Sequence, residues 1–123
     1  MYRNVDGAKK AGGIMFDKSQ LMRGTLEGCI LKIISLEVTY GYEIMIKLTG
    51  YGFADIREGT IYPLLVRLEK KDLIYAEFRP SPLGPSRKYY FITKSGLEAL
   101  NSFEAYWKSI SVAVSKILTL EVK

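Results

Sequence analysis

Residues 57–94 hold eight lysines and arginines against four carboxylates, a net of +4. The types and spacing of these cations suit the gripping of phosphate. Arg57, Arg67 and Lys70 fall on one helical stretch, while Arg79, Arg87 and Lys88 flank the loop Pro80-Ser-Pro-Leu-Gly-Pro-Ser86. Guanidinium and ammonium groups arrayed this way neutralise backbone phosphates, which gives affinity and register rather than sequence choice. Zinc binding and Ser-His or Cys-His nucleophilic chemistry are closed to a single copy of the chain, which has no histidine and one cysteine, Cys29. A Ser-His or Cys-His pair needs the imidazole, and a zinc site needs several Cys or His ligands. No catalytic residue, metal ligand or cofactor is therefore expected. Glu43 has no second carboxylate placed to pair with it and reads as a helix-start residue, where its charge suits the helix dipole.

The elements that must position these cations follow from periodicity. Ile61, Leu64, Leu65 and Leu68 fall at i, i+3, i+4 and i+7, which puts one apolar stripe on a helix. The other face then carries Gly59, Thr60, Tyr62, Pro63, Val66, Arg67 and Lys70. Either this helix starts near Thr60, or it starts near Arg57 and tolerates the hydrogen bond that Pro63 cannot make. Asp72 stands where a left-handed stop residue is needed. Two alternating runs follow. Tyr75, Glu77 and Arg79 point one way and Ala76 and Phe78 the other, while Lys88 and Tyr90 oppose Tyr89 and Phe91. The proline-rich turn between them cannot continue a ladder and should project. A helix leading into a hairpin with a cationic tip is the plan of a winged helix-turn-helix. On that plan Thr60, Tyr62 and Arg67 face a DNA groove or its bordering phosphates, and Arg67 is the candidate for a base edge.

Ahead of it, a helix over Leu21–Leu36 places Leu26, Ile30, Ile33 and Ile34 on one face, with Cys29 beside them as a small core residue. A short helix fits Tyr42–Thr49, ended by Gly50 and Gly52. Residues 1–20 read as a flexible N-terminal extension interrupted by Gly7, Gly12 and Gly13, in which Arg3, Lys9 and Lys10 could reach a groove and Ile14-Met-Phe16 could dock on a neighbour. The last helix runs from about Lys94 to Leu118 with Thr93 as N-cap. On it Leu100, Phe103, Trp107, Ile110, Val114 and Ile117 are spaced 3, 4, 3, 4, 3, a heptad seam. The seam packs either on a second copy of the chain or back on its own domain. A helix of that size is about 35 Å long, more than so small a domain covers, which favours a homodimer. Tyr106 beside Trp107 could also wall a flat aromatic ligand.

At 123 residues and net charge +5 the chain makes one modest domain, and its excess charge sits on residues 57–94 and, at +3, on residues 1–24. One cysteine, no run of 18 uncharged apolar residues and no apolar leader at the start together read as cytoplasmic, without a membrane partner.

Taken in order, five short pieces resemble the PadR-type transcriptional regulators, in particular the short class with a single C-terminal helix. They are Leu21-Met-Arg-Gly-Thr-Leu-Glu27, Tyr40-Gly-Tyr-Glu-Ile44, Gly59-Thr-Ile-Tyr-Pro-Leu-Leu65 with Arg67-Leu-Glu69, Gly84-Pro-Ser-Arg-Lys-Tyr-Tyr90, and Thr93-Lys-Ser-Gly96. The resemblance spans Leu21 to Leu118 and implies an α+β, mainly α fold: a winged-helix DNA-binding domain over residues 21–93 and a C-terminal dimerisation helix over residues 94–123. With Tyr40 added, the expected DNA-facing set is Tyr40, Arg57, Thr60, Tyr62, Arg67, Lys70, Arg79, Arg87 and Lys88. The expected dimer and effector surface is Leu100, Phe103, Tyr106, Trp107, Ile110, Val114 and Ile117. The resemblance implies a dimeric repressor on an inverted-repeat operator in double-stranded DNA, released by a small aromatic or phenolic effector. Two residues depart from the family pattern: Arg57 replaces the usual Ser or Asn cap, and Asp72 replaces the usual glycine. The alternative is a winged helix that serves only protein interaction, without DNA binding.

Overall fold

Asp17 starts the first helix, because its carboxylate accepts the backbone amides of Ser19 at 3.0 Å and Gln20 at 3.4 Å. Helix α1 therefore spans Lys18–Leu36 and takes in Lys18, Ser19 and Gln20, which the sequence assigns to the extension. The structure, a computed structural model, describes residues 16–123. The expected roles of Arg3, Lys9, Lys10 and Ile14-Met15 lie outside the described residues.

Among the described residues, a two-residue strand β1 (Thr39–Tyr40) follows α1 and leads directly into α2 (Gly41–Gly50). Glu43 stands in the first turn of α2, as expected, and there also accepts the hydroxyl of the buried Thr39. Beyond the end of α2, Gly52 with a φ of 115° lets the amides of Gly52 and Phe53 turn back to the carbonyls of Thr49 and Leu48. Helix α3 (Glu58–Lys70) ends by the same device, with Asp72 at φ 59° and bonds from Asp72 N to Glu69 O and Leu73 N to Leu68 O. Aspartate thus performs the left-handed stop that usually falls to glycine.

Strands β2 (Ile74–Pro80) and β3 (Ser86–Ile92) form an antiparallel hairpin, and β1 adds to the other edge of β3, giving the order β1-β3-β2. The register pairs Ala76 with Tyr90 and Ile74 with Ile92 on the face toward the helices. Leu26, Ile30 and Ile34 of α1, Ile44 and Leu48 of α2, and Ile61, Leu65 and Leu68 of α3 close the core against Ile74 and Tyr90. Helix α4 (Lys94–Leu118) starts one residue after β3. At that junction Thr93 accepts the Gly96 amide on its hydroxyl at 2.9 Å and donates the same hydroxyl to Asp72 O at 2.7 Å. Its own amide bonds to Leu73 O at 3.1 Å.

Burial pushes the Tyr90 phenol up to about 12, with the nearby carboxylate of Glu69 adding to the effect. A phenol harder to ionise in the folded chain than in the unfolded one stabilises the fold below the unfolded value of about 10. That contribution drains away as pH rises from about 10 to about 12. Tyr90→Phe should therefore flatten the loss of stability in that interval, as read from denaturant midpoints at stepped alkaline pH. The Cys29 thiol is likewise raised by burial, as suits a packing residue rather than a nucleophile.

Candidate nucleic-acid interface

Helix α3 starts at Glu58, after Arg57 in extended conformation (φ −127°, ψ 167°) without a side-chain cap bond. Of the two starts open to the sequence, the earlier is therefore the one adopted. Pro63 lies inside the helix, and the carbonyl it leaves without a donor is that of Gly59, in the exposed first turn. Ile61, Leu65 and Leu68 turn inward, so the outward face is centred on Gly59, Pro63, Val66 and Lys70. Each flank of that face leans on a neighbouring element. Toward α1, Thr60 borders a groove with Met22 and Arg23, and Arg67 Nε lies 3.2 Å from Glu27 Oε2. Toward α2, the Tyr62 ring covers Gly41 so closely that a Cβ there would lie 2.7 Å from the ring. Tyr62 nevertheless keeps 40% of its surface exposed. A β-carbon at position 41 would push the ring out of place.

The wing brings its cations to both sides of the ladder. Arg79 and Arg87 are direct cross-strand partners on the face away from the helices. Like charges so placed repel, and here each is only partly relieved. Arg79 meets Glu77 at 3.2 Å and lies 5.0 Å over the Phe91 ring, which itself stacks on Tyr75. Arg87 lies 4.2 Å over the ring of Tyr40, the residue that precedes α2. Lys88 points the other way and bonds Glu69 of α3 at 3.1 Å. Arg87 and Lys88, adjacent in sequence, thus divide their roles: one stays at the outer edge of the wing while the other ties the wing to α3. Arg57 and Lys70 are exposed and have no ion pair among the described residues.

Sequence reading misses Glu27 and Glu69, the carboxylates that hold Arg67 and Lys88. Strand β1 and helix α2 lie between Glu27 and Arg67, and β2 with the wing turn lies between Glu69 and Lys88, so no local spacing announces such pairs.

Helix α4 divides the expected seam. Leu100 is 4% exposed and belongs to the domain core, and the Phe103 ring lies over Gly28 of α1. Unlike the expected surface position, Leu100 is therefore taken up by the core of its own domain. Beyond it Tyr106, Trp107, Ile110, Val114 and Ile117 all stand exposed. Between α1 and this free part of α4 lies an open apolar groove of about 550 Å³, lined by Leu21, Met22, Phe53, Trp107, Ile110 and Val114 among others. Among the described residues no group of three or more His, Cys, Asp or Glu is placed to hold a metal, and no helix is long and apolar enough to cross a membrane.

Comparison with known proteins agrees with this geometry. The profile of the transcriptional regulator PadR-like family matches residues 30–102. A solved PadR-like transcriptional regulator from Bacillus cereus is 50% identical, with a TM-score of 0.75 over 84% of this chain and 100% of its own. The chain belongs to the PadR-like family. A Streptococcus transcriptional regulator is 44% identical at a TM-score of 0.75, over 83% of this chain and 100% of that one. An uncharacterized protein of Lysinibacillus sphaericus is 36% identical over 96 residues, 76% of this chain and 87% of its own. This PadR-like protein is thus a DNA-binding transcriptional regulator and not an enzyme, and its four helices and three-stranded sheet, counted among the described residues, are the winged-helix fold of the family.

Proposed function

We propose that this PadR-like regulator is a homodimeric repressor that binds an inverted-repeat operator and leaves it when a small aromatic or phenolic effector binds between the subunits. The observation that carries the reading is α4, whose Trp107, Ile110, Val114 and Ile117 form one exposed apolar stripe on a helix that outruns its own domain. A second copy covers such a stripe, and two-fold pairing then presents two α3 helices to two symmetric half-sites. In this reading residues 21–93 contact DNA, residues 94–123 pair the subunits, and the protein works in the cytoplasm. The groove between α1 and α4 has the size and lining for a flat apolar ligand. A ligand there changes how α4 meets its partner, and so couples its own binding to DNA release.

A mobility shift with an operator selected from random duplex DNA, run beside sedimentation, tests the reading. The expected result is a dimer that shifts the operator and lets it go as a phenolic compound is added. Trp107 is the chain's one tryptophan, so its fluorescence reports ligand entry directly. A monomer at micromolar concentration that still shifts a palindromic site tightly would refute the proposal.

On the wing, Arg79 and Arg87 face each other as an under-compensated pair, and a phosphate between them relieves the repulsion. Arg87→Ala together with Lys88→Ala should weaken binding to all sequences alike. It should also flatten the dependence on log salt by about one unit for each phosphate no longer neutralised. Affinity and slope left unchanged would remove the wing from the interface.

A further inference from the structure

We propose that Glu27, a residue of α1 away from the DNA-facing surface, is a positioning residue that sets the base preference of Arg67. The inference rests on the reading of Arg67 as the residue of α3 that reaches a base edge.

The two side chains differ in exposure as a holder and a reader would. Glu27 keeps 17% of its side-chain surface exposed and Arg67 54%, while Arg67 Nε lies 3.2 Å from Glu27 Oε2. The Nε side of the guanidinium is thus drawn to α1 while more than half of the side chain remains open. An arginine free to swing loses much of its side-chain freedom when a base immobilises it. One already held by an ion pair has met part of that cost in the free protein, so the guanidinium is placed before DNA arrives. A guanine edge offers two acceptors side by side, so where the guanidinium is held decides whether both are reached.

The tether also holds from the carboxylate's side. Glu27 Oε2 is buried and receives no hydrogen bond, since the Nε–H meets the distance of an ion pair without pointing along it. A carboxylate so enclosed is costly without a cation, and Arg67 is the cation paired with it. The other such pair, Lys88 with Glu69, cannot act in this way, because its cation stands on the wing strand β3 and not on α3.

A carboxylate beside a phosphate clamp would only lower affinity for every sequence. Beside a base reader it lowers general affinity and raises discrimination, and this opposition supplies the test. Wild type, Arg67→Ala, Glu27→Gln and Glu27→Asp are each used to select sites from random duplex DNA. Affinity for an unselected duplex is then measured across a salt series, with thermal melts to check the fold. Arg67→Ala should erase preference at one position of each half-site, roughly a tenfold loss of discrimination. Glu27→Gln, which keeps the shape and removes the charge, should erase preference at the same position while affinity for unselected duplex rises about two- to threefold at low salt. Glu27→Asp, which keeps the charge and withdraws it by one methylene, should weaken the preference without that rise. Preference lost in Arg67→Ala but kept in Glu27→Gln overturns the inference alone. Specific and general affinity falling in parallel in Glu27→Gln does the same, since that is the mark of a merely structural role. Preference kept in Arg67→Ala overturns the reading of Arg67 itself.

Discussion

Ile110→Glu should convert the regulator to a monomer that binds a two-half-site operator on the order of 10²- to 10⁴-fold more weakly, with α3 and the wing unaltered. Ile110 is 56% exposed in the single chain, so a charge there costs the fold little. In a pairing of two α4 helices the same charge is buried without a partner on each side of the two-fold axis, at a cost of several kcal/mol per ion. Once pairing fails, the second half-site is no longer held at high local concentration and binding falls to that of one domain. Sedimentation with a mobility shift reads both effects. A variant still dimeric at micromolar concentration, or a monomer with undiminished operator affinity, would remove α4 from the mechanism. Phe103→Glu is the less informative change, since its ring packs on Gly28 and the charge would disturb the domain itself.

The largest effect on stability is expected from Gly96→Ala. A Cβ at that position would lie 2.0 Å from the Leu73 carbonyl oxygen, which is backbone and already accepts the Thr93 amide. Neither group can step aside without breaking the junction between β3 and α4. The loss should reach about 3 kcal/mol or more, a fall in melting temperature of about 10 °C for a domain of this size. Gly24→Ala makes the contrasting case. That glycine lies within α1 with nothing inside 4 Å, so the added methyl should stabilise by up to about 1 kcal/mol through helix propensity. Melting curves of the two variants should thus move in opposite directions. A Gly96→Ala protein melting with the wild type would show that α4 is not seated against Leu73.

The sequence made legible whatever local chemistry dictates. The period of Ile61, Leu65 and Leu68 located α3 and its inward side, alternation located the hairpin faces, and the stop at Asp72 followed from its ability to take a positive φ. What could not be read were the tertiary pairings. Nothing local tells that Arg67 is held by Glu27 from forty positions earlier, or that Lys88 turns back to Glu69 while its neighbour Arg87 lies over Tyr40. The seam on α4 shows the same limit from another side. Its spacing is uniform from Leu100 to Ile117, yet the domain takes up Leu100 and Phe103 and leaves the rest exposed. A heptad pattern announces an apolar stripe and is silent on how much of it the chain's own fold will use. The start of α1 escapes a sequence reading for a simpler reason: Asp17 is a good cap, but it precedes polar residues that carry no apolar period.

The three hydrogen bonds of Thr93 leave no slack between wing and terminal helix. The junction therefore behaves as a weld, and α4 as a rigid arm carried by the DNA-binding domain. Twenty-five helical residues make an arm of about 37 Å. Turning it through about 10° sweeps its far end through about 6 Å, nearly two base-pair steps along a duplex. Small adjustments in how two such arms cross would thus be geared up into misalignment of the reading heads, with no change needed inside either head. The same stiffness works in reverse: DNA with incorrectly spaced half-sites would have to bend the arms or part them. A dimer paired through such arms would measure length as well as sequence, with Thr93 as the joint that keeps the ruler straight.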